Sequence, residues 1–423
     1  MIPGLASHNI ARALREDEVR ELLAEGFKYA DLMGKRILVI IPDGTRTAPI
    51  ALFFRLFDEL LAPHVPALDY LVALGTHPPM SDEDLSALLG VTVRDGRVGL
   101  SRVFNHRWDL PETFVTVGTI PSAEVNEASG SRLDLDVPVR LNRLLVDPAG
   151  GPPYDQIVVL GPVFPHEVAG FSGGNKYFIP GVAGEEIIHT THWLGALLTS
   201  RGIIGTADTP VRRMIDRGAS FIPTPRFLIA LVMHGTSLHG LFIGDMIKAW
   251  KAATALSAEL DIVTVERPFR RVLSMVPEIY DDLWTAAKGM YKVEPALADG
   301  GEVIIYAPHI TEVSYVHGKF LDDVGYHVRD YFTAQWEKFR HVPWGVLAHS
   351  THLRGDGRYI GGVERPRVQV TLASGIPQER CERIGLGYAD PATIDPDEWA
   401  GREDEGVLLV RRAGEILYRL KEE

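Results

Sequence analysis

Runs of apolar residues that each lead into a polar, glycine-containing loop constrain the fold of this chain more than any other feature. Continuous apolar runs of this length are typical of parallel strands buried on both faces. Ligands of such sheets bind in loops at the carboxyl ends of the strands. We therefore expect the loops that contain Asp43, His77 and His166 to open onto one cleft. The three runs are residues 36–41, 71–75 and 156–161.

The segments between these runs have the patterns of helices. Apolar residues recur at roughly helical spacing over residues 11–33. Pro49 suits a first helical turn and predicts a helix that runs to about Leu61. Ser81 and Asp84 have the spacing of a helix-capping pair. Strands that alternate with helices predict an α/β fold.

The chain after Leu260 has the features of a second unit. We expect a helix near residues 326–339 and two short strands between Gly406 and Leu420. Further strands are predicted at residues 303–307, 345–348 and 368–372. With a boundary near residue 265, the sequence predicts two α/β domains with mainly parallel sheets and an active-site cleft between them. The predicted domains are residues 1–265, which would bind a cofactor, and residues 266–423.

Composition narrows the class of protein. The net charge of −13 makes nucleic acid an improbable partner. The single cysteine, Cys381, excludes an internal disulfide and cysteine-rich metal sites. No run of about 18 apolar residues occurs, so no membrane span is expected. The first residues lack the pattern of a secretion signal, and we expect a cytoplasmic protein.

The segment around Lys176 carries the chemistry. Six glycines or prolines surround this lysine between residues 170 and 184, and His166 and His192 flank it. Glycines allow a backbone to approach a ligand, and successive amide groups can bind an anion. A lysine in such a loop can bind phosphate as a point charge or act as a nucleophilic amine. The segment matches neither the dinucleotide-binding fingerprint nor the P-loop.

The stretch from His166 to Lys176, read as His-Glu-Val-Ala-Gly-Phe-Ser-Gly-Gly-Asn-Lys, closely resembles the lactate racemase family. The similarity covers nearly the whole chain, because shorter motifs follow in the order of the family. These are Asp43-Gly44-Thr45-Arg46, Gly75-Thr76-His77, Asn105-His106, Pro180-Gly181 and Lys288-Gly289-Met290.

The resemblance implies an isomerase that racemises or epimerises a 2-hydroxy acid by reversible hydride transfer. The family uses a nickel-pincer nucleotide, a pyridinium-3-thioamide-5-thiocarboxylic acid mononucleotide, which would be attached covalently to Lys176. A ring carbon, two cofactor sulfurs and one histidine hold the nickel. His192 matches that histidine, and His189 is the nearby alternative. Sulfur from the cofactor would explain a thiophilic metal in a chain with one cysteine. Proteins that synthesise the cofactor would be partners.

The resemblance also implies roles for individual residues. His106 and His166 match the acid/base pair, and imidazole suits that role near neutral pH. Arg46 would bind the substrate carboxylate with its guanidinium fork. Other predicted substrate contacts are Lys288, Trp284 and Thr285. The residues predicted to contact the cofactor, or to orient Arg46, are Asp43, Thr45, Gly75, Thr76, His77, Ser172, Gly173 and Gly174.

Two departures from the family bear on the substrate. Thr285 stands where the family often has glutamine, and Pro78 stands where it tends to have arginine. Both changes could reshape the pocket without changing the reaction type. A sugar acid inverted at C2, malate or an aryl-lactate is therefore as plausible a substrate as lactate.

Two other interpretations stay open on the residues alone. A non-catalytic carrier or sensor of the cofactor would keep Lys176 but would not need an acid/base pair. The other is a metallohydrolase that holds zinc with His77, His106, His166 and His192. The oligomeric state is left open.

Overall fold

The structure is a computed structural model that describes residues 5–148 and 151–421. Residues 1–4, on which the expected absence of a secretion signal partly rests, lie outside the described residues. Backbone contacts group the chain into two compact units. The first unit comprises Met1–Phe164, Phe171–Ile188 and Arg212–Leu260, and the second comprises Pro165–Gly170, His189–Val211 and Asp261–Glu423.

Helices and strands alternate along the described residues. The helices are α1 (Glu16–Tyr29), α2 (Ile50–Leu60), α3 (Asp82–Leu89), α4 (Ser122–Ala128), α5 (Glu185–Leu198), α6 (Ser200–Ile203), α7 (Pro210–Ala219), α8 (Met246–Asp261), α9 (Leu283–Ala286), α10 (Lys288–Tyr291), α11 (Gly318–Val324), α12 (Arg329–Ala334), α13 (Trp336–Phe339), α14 (Trp344–Arg354) and α15 (Gln378–Arg383). The strands are β1 (Leu5–His8), β2 (Arg36–Ile41), β3 (Ala67–Val72), β4 (Arg97–Val98), β5 (Ser101–Asn105), β6 (Phe114–Ile120), β7 (Val137–Asn142), β8 (Gln156–Pro162), β9 (Pro165–His166), β10 (Gly170–Phe171), β11 (Arg226–His234), β12 (Ser237–Gly244), β13 (Ile262–Val265), β14 (Phe269–Met275), β15 (Leu297–Ala307), β16 (Gly357–Ile360), β17 (Val363–Pro366), β18 (Gln369–Ser374), β19 (Gly387–Tyr388), β20 (Val407–Val410) and β21 (Leu417–Leu420). None of these helices is both long and apolar enough to cross a membrane.

The first unit contains an eight-stranded sheet in the order β1-β12-β11-β8-β2-β3-β5-β4. The central strands β11, β8, β2, β3 and β5 are parallel, while β12 and β4 pair with their neighbours in antiparallel fashion. Residues 37–41 of β2 are fully buried, as an apolar run in a sheet covered on both faces requires. The predicted strand and its burial are confirmed.

Strand β3 differs in its bounds from the prediction, because it begins at Ala67 and ends at Val72. A buried carboxylate, Asp69, interrupts the apolar pattern of its first half. Arg102 and Tyr154 donate hydrogen bonds to this carboxylate at 2.8 and 2.7 Å. These bonds offset the cost of burying the charge, so a polar residue is tolerated inside the strand.

The helix signals of the first unit correspond to real helices. Helix α1 occupies the middle of residues 11–33, and α2 begins directly after Pro49. The backbone of Asp84 donates to the Ser81 hydroxyl, and the backbone of Ser81 donates to the Asp84 carboxylate. The predicted capping pair is therefore confirmed.

The second unit contains a five-stranded, fully parallel sheet in the order β19-β18-β15-β14-β20. The predicted α/β class with mainly parallel sheets is thus confirmed in both units. The predicted strand at residues 345–348 is wrong, because these residues lie in α14. Every residue from Gly345 to Leu353 is buried, so no helical periodicity distinguishes this run from a buried strand.

The chain enters the second unit for its last stretch at Asp261, near the division expected at residue 265. The same unit also takes in two earlier segments, Pro165–Gly170 and His189–Val211. Donors from late in the chain bind carbonyls of these segments: Lys292 bonds to Pro165 at 2.7 Å, and Arg419 bonds to Ile204. His166 and His192 therefore belong to the second unit, whereas Lys176 belongs to the first.

Candidate active site

Loops at the carboxyl ends of adjacent parallel strands carry the candidate residues of the first unit. Asp43 follows β2, His77 follows β3, and His106 directly follows β5. The loop that contains Lys176 packs on the loop after β3, because the Gly75 amide donates to the Gly181 carbonyl at 2.9 Å. The structure therefore gathers these loops at one edge of the sheet, where such sheets bind ligands.

A carboxylate–imidazole pair lies at the centre of this edge. Nδ1 of His77 is 2.5 Å from Oδ2 of Asp43, and the other carboxylate oxygen accepts from the Thr45 hydroxyl at 2.6 Å. Burial would raise the pKa of Asp43, but His77, Arg46 and Thr45 outweigh it and hold that pKa well below its usual value. Because the ionised carboxylate accepts the Nδ1 proton, Nε2 of neutral His77 presents a lone pair.

Arg46 continues this hydrogen-bond chain. Its Nη1 donates to the Thr45 hydroxyl at 2.7 Å, and that hydroxyl donates in turn to Asp43. The predicted carboxylate-binding arginine is thus coupled to the His77 pair through one threonine. A half-buried guanidinium at this position can recognise a carboxylate in the plane of its fork.

His106 has a different environment from that expected of an acid/base residue. Its side chain is 0% exposed. Nε2 donates to the Ala183 carbonyl at 3.2 Å, and Nδ1 accepts from the Asn142 amide at 3.1 Å. Burial lowers the pKa of His106 to about 4. Both ring nitrogens are therefore engaged by the protein, and the ring is neutral near neutral pH.

Lys176 lies in a short 3-10 turn, Gly174–Tyr177. It is the partly exposed residue in an otherwise buried stretch from residue 170 to residue 179. The neighbouring Tyr177 is buried and interacts electrostatically with Arg46 and Asp43. Lys176 therefore lies in a tightly packed loop of the first unit, and its role as a covalent anchor stays a prediction.

The residues just before this turn serve the loop itself. The Ser172 hydroxyl donates to the Pro162 carbonyl at 3.0 Å and accepts from the Phe164 amide at 2.9 Å. A Cβ on Gly173 would lie 2.6 Å from Val163, so glycine is required here by the packing of the protein. The predicted cofactor contacts of residues 172–174 stay predictions.

In the second unit, His166 is buried and fixed through Nδ1. This nitrogen accepts from the Val168 amide at 3.1 Å and lies 3.2 Å from Oε2 of Glu167. A nitrogen that accepts an amide proton carries none of its own, so neutral His166 has its proton on Nε2. Lys292, itself 1% exposed, holds the preceding carbonyl of Pro165.

The two candidate nickel ligands, His189 and His192, lie one turn apart on α5. Both are partly exposed, whereas the two threonines between them are buried. Nδ1 of His189 accepts from the Gly345 amide at 3.3 Å, which places the proton of the neutral ring on Nε2. A metal bound to Nε2 would require the proton to move to Nδ1, and this would break the hydrogen bond from the Gly345 amide. The choice of His192 over His189 as the nickel ligand stays a prediction.

The predicted substrate contacts near α9 have distinct surroundings. The Trp284 ring stacks on His349 with centroids 4.0 Å apart and also lies 4.6 Å from His317. The hydroxyl of Thr285 donates to Oδ1 of Asp282 at 2.8 Å, so this side chain takes part in capping α9.

Lys288 is buried at the start of α10, and its Nζ lies 3.9 Å from the centre of the Tyr280 ring. This contact provides a cation–π interaction. The role of Lys288 in substrate binding stays a prediction.

Protein side chains alone do not form a metal centre in the described part of the chain. No three histidine, cysteine, aspartate or glutamate side chains there are grouped closely enough to hold an ion. The zinc hydrolase interpretation required such a group of histidines and is not supported. Nickel held partly by cofactor atoms requires only one protein ligand and is compatible with the residues present.

Comparison with known proteins identifies the family. Residues 6–202 match the family model of the lactate racemase N-terminal domain. This part of the chain belongs to the lactate racemase N-terminal domain family. It is 25% identical over 277 residues to a lactate racemase of Thermoanaerobacterium thermosaccharolyticum and 24% identical over 279 residues to one of Lactiplantibacillus plantarum. These alignments cover 64% and 65% of this chain and 60% of each racemase, so the chain spans less than two thirds of the length of either relative.

Two solved structures share the fold of this chain. A crystal structure of a Thermotoga maritima protein is 33% identical, with a TM-score of 0.88, and the match covers 97% of this chain and 99% of that one. The lactate racemase apoprotein from T. thermosaccharolyticum shares the fold, with a TM-score of 0.72 at 19% identity over 96% of this chain and 93% of that one.

The family-model match and the two racemase relatives confirm the resemblance that the short motifs indicated. The matched segment contains Asp43, Lys176 and His192, whereas Trp284 and Lys288 lie beyond it. The sequence analysis assigned Asp43 and His77 to the cofactor and missed their pairing. The sequence could have indicated this pairing, because the two residues each follow an apolar run and the two runs form neighbouring parallel strands.

Proposed function

We propose that this protein is a racemase or epimerase that inverts C2 of a 2-hydroxy acid. The observation that carries the proposal is the Asp43–His77 pair beside Arg46, at the same sheet edge as the loop of Lys176. A base, a carboxylate-binding cation and a covalent anchor are the groups that such a reaction needs.

The chemistry of the substrate favours hydride transfer over proton abstraction. The hydrogen at C2 of a 2-hydroxy carboxylate is weakly acidic, because its removal as a proton would place a second negative charge on an anion. When bound, the nickel-pincer nucleotide would supply a hydride acceptor that returns the hydrogen to either face of the resulting 2-keto acid. Lys176 would anchor this group, and His192 would provide the protein ligand to nickel.

His77 is better suited than His106 to remove the hydroxyl proton. The Asp43 carboxylate accepts the Nδ1 proton and so orients the His77 ring, as an aspartate does for histidine in hydrolases. The Nε2 lone pair of His77 can accept the hydroxyl proton as hydride leaves C2. His106, with both nitrogens bonded to protein groups, would serve the structure of the first unit. The resemblance assigns the second base to His166, and that role stays a prediction.

Arg46 would hold the substrate carboxylate. Pro78 and Thr285 bear on the size of the substrate. Pro78 is exposed beside His77, and the hydroxyl of Thr285 is used in a helix cap. Neither side chain supplies the polar group that the family often has at that position. We therefore propose a 2-hydroxy acid that includes lactate, a sugar acid, malate or an aryl-lactate among the candidates. Cofactor-synthesis proteins would be the partners.

The test uses protein produced together with cofactor-synthesis proteins. Intact-mass measurement should show an adduct on Lys176, and Lys176→Arg should abolish it while keeping the charge. Chiral chromatography with a panel of 2-hydroxy acids identifies the substrate. With substrate deuterated at C2, inversion should be slowed and the label retained.

Extensive exchange of that label with solvent would instead show proton transfer. Retention of function in His77→Asn and His166→Asn would favour the carrier or sensor interpretation.

A further inference from the structure

Two helices hold the loop that leads to Lys176. Arg212 and Asp216 lie one turn apart on α7, and Trp250 lies on α8. We call these three residues the loop grip. They belong to the same compact unit as the loop.

The loop grip binds consecutive backbone carbonyls. Trp250 Nε1 donates to the Ser172 carbonyl at 2.7 Å. The Arg212 guanidinium donates to the Gly173 carbonyl at 3.2 Å and also to the Phe171 carbonyl. Three carbonyls in a row are thus held by two side chains, which leaves this part of the backbone little freedom to rotate.

The next two residues are held by packing and by a side chain. A Cβ on Gly174 would lie 3.0 Å from the Trp250 ring, so this ring supports the turn directly. The side-chain Nδ2 of Asn175 donates to Oδ1 of Asp216 at 3.0 Å. Lys176 follows at once and is the partly exposed residue of the stretch.

The burial of the loop grip indicates that its contacts are not incidental. Arg212 and Trp250 are each 3% exposed, and the guanidinium lies 4.1 Å from the centre of the Trp250 ring. Removing a guanidinium from water is costly unless its donors are used. Here Nη1 and Nη2 donate to carbonyls of the lysine loop, so the buried guanidinium helps to fix that loop.

We propose that Arg212, Asp216 and Trp250 are positioning residues that hold the Lys176 loop in the one conformation that carries the cofactor. A lysine side chain has several rotatable bonds, so a fixed backbone restricts where its amine can reach. This inference rests on the proposed function, in which Lys176 is the anchor.

Trp250→Phe is the most selective test, because it removes the Nε1 donor and keeps a ring against Gly174 and Arg212. Arg212→Met removes both carbonyl contacts, and Arg212→Lys restores a cation that can donate to one of them. Trp399→Phe is the matched control, since Trp399 forms a comparable pair with Arg271 in the second unit, 4.6 Å from its ring centre.

Two measurements follow on each variant. Hydrogen–deuterium exchange of unloaded protein should show amides of residues 172–177 exchanging roughly three- to tenfold faster in Trp250→Phe, as loss of one hydrogen bond predicts. The fraction of chains with an adduct on Lys176, measured by intact mass after co-production, should fall by a similar factor. Arg212→Met should show larger effects, Arg212→Lys smaller ones, and Trp399→Phe none.

Unchanged loop exchange and unchanged adduct fraction in Trp250→Phe and Arg212→Met would overturn the inference. Equal acceleration of exchange in the loop and in β8 and β11 would overturn it too, because that result indicates general destabilisation. If the wild-type protein carries no adduct, the proposed function fails, while the loop exchange still decides whether the grip holds the loop.

Discussion

His106 has either an acid/base role or a structural one, and its lowered pKa allows the two to be distinguished. A structural role predicts a measurable dependence of protein stability on pH. Burial favours the neutral ring in the folded protein and lowers the pKa from 6.5 to about 4. Protonation is therefore easier in the unfolded chain. The corresponding stability is fully present above about pH 6.5 and is lost as the pH falls through about 4.

The magnitude follows from the gap between the two pKa values. At about 1.4 kcal/mol for each pH unit between them, the gap is worth roughly 3 kcal/mol of unfolding free energy. Roughly 2 kcal/mol of this should already be lost at about pH 5. In His106→Gln, the amide can still donate to Ala183 but does not titrate. That variant should lose less stability than the wild-type protein by these amounts.

Urea unfolding of the unloaded protein, followed by circular dichroism from about pH 7.5 to about pH 4.5, tests this difference. His64→Gln is the control, because His64 is an exposed histidine in the same unit. The loaded His106→Gln enzyme should keep its rate within about tenfold, whereas His77→Asn should lose about a hundredfold or more. The structural assignment would be refuted by two results together. The unfolding free energies of wild type and His106→Gln would fall in parallel as the pH is lowered, and His106→Gln would lose a hundredfold in rate.

Other residues give further predictions. Asp43→Asn should lower the rate by about a hundredfold or more, because an amide can also donate to Nδ1 and so no longer fixes the Nδ1–H tautomer of His77; steady-state kinetics of adduct-bearing protein checks this. His192→Ala should lose nickel and His189→Ala should keep it, by elemental analysis of loaded protein, and the reverse result would exchange their assignments. Glu167→Gln should lower kcat/KM by roughly ten- to a hundredfold in both directions, since protonated His166 loses a carboxylate 3.2 Å from Nδ1 and the equilibrium constant fixes the ratio of the two directions. Initial rates from each enantiomer measure that effect, and a kcat/KM equal to that of the wild-type protein would contradict it.

The features that were predictable from the sequence are those set by local patterns. The bounds of β2 follow from an uninterrupted apolar run, and the helix start at Ser81 follows from a capping pair. The motif around Lys176 identified the family because it is long and contiguous. In each case the informative residues are neighbours in the chain, so no tertiary contact had to be known.

The features that were missed depend on contacts between distant residues. Residues 345–348 are helical because α14 is buried on all sides, which removes the polar face that marks a helix. The proposed exchange of roles between His77 and His106 rests on their partners Asp43 and Asn142, which lie 34 and 36 residues away in the chain. Both histidines follow strands of the same sheet, and only their hydrogen-bond partners distinguish a base from a buried structural ring.

The same reasoning predicts an asymmetry between the two histidines proposed for catalysis. His77 is backed by a carboxylate and presents a lone pair, whereas neutral His166 is held by an amide donor and presents a proton. A racemase must remove the hydroxyl proton in both directions, so His166 must also adopt the tautomer with its proton on Nδ1 and a lone pair on Nε2. That tautomer ends the bond from Val168 and donates the Nδ1 proton to Glu167, after which Nε2 can accept the hydroxyl proton. Both directions of the reaction would then form the same keto acid, but with different hydrogen-bond changes. His77 would keep Asp43 as its partner, whereas His166 would exchange the Val168 amide for the Glu167 carboxylate.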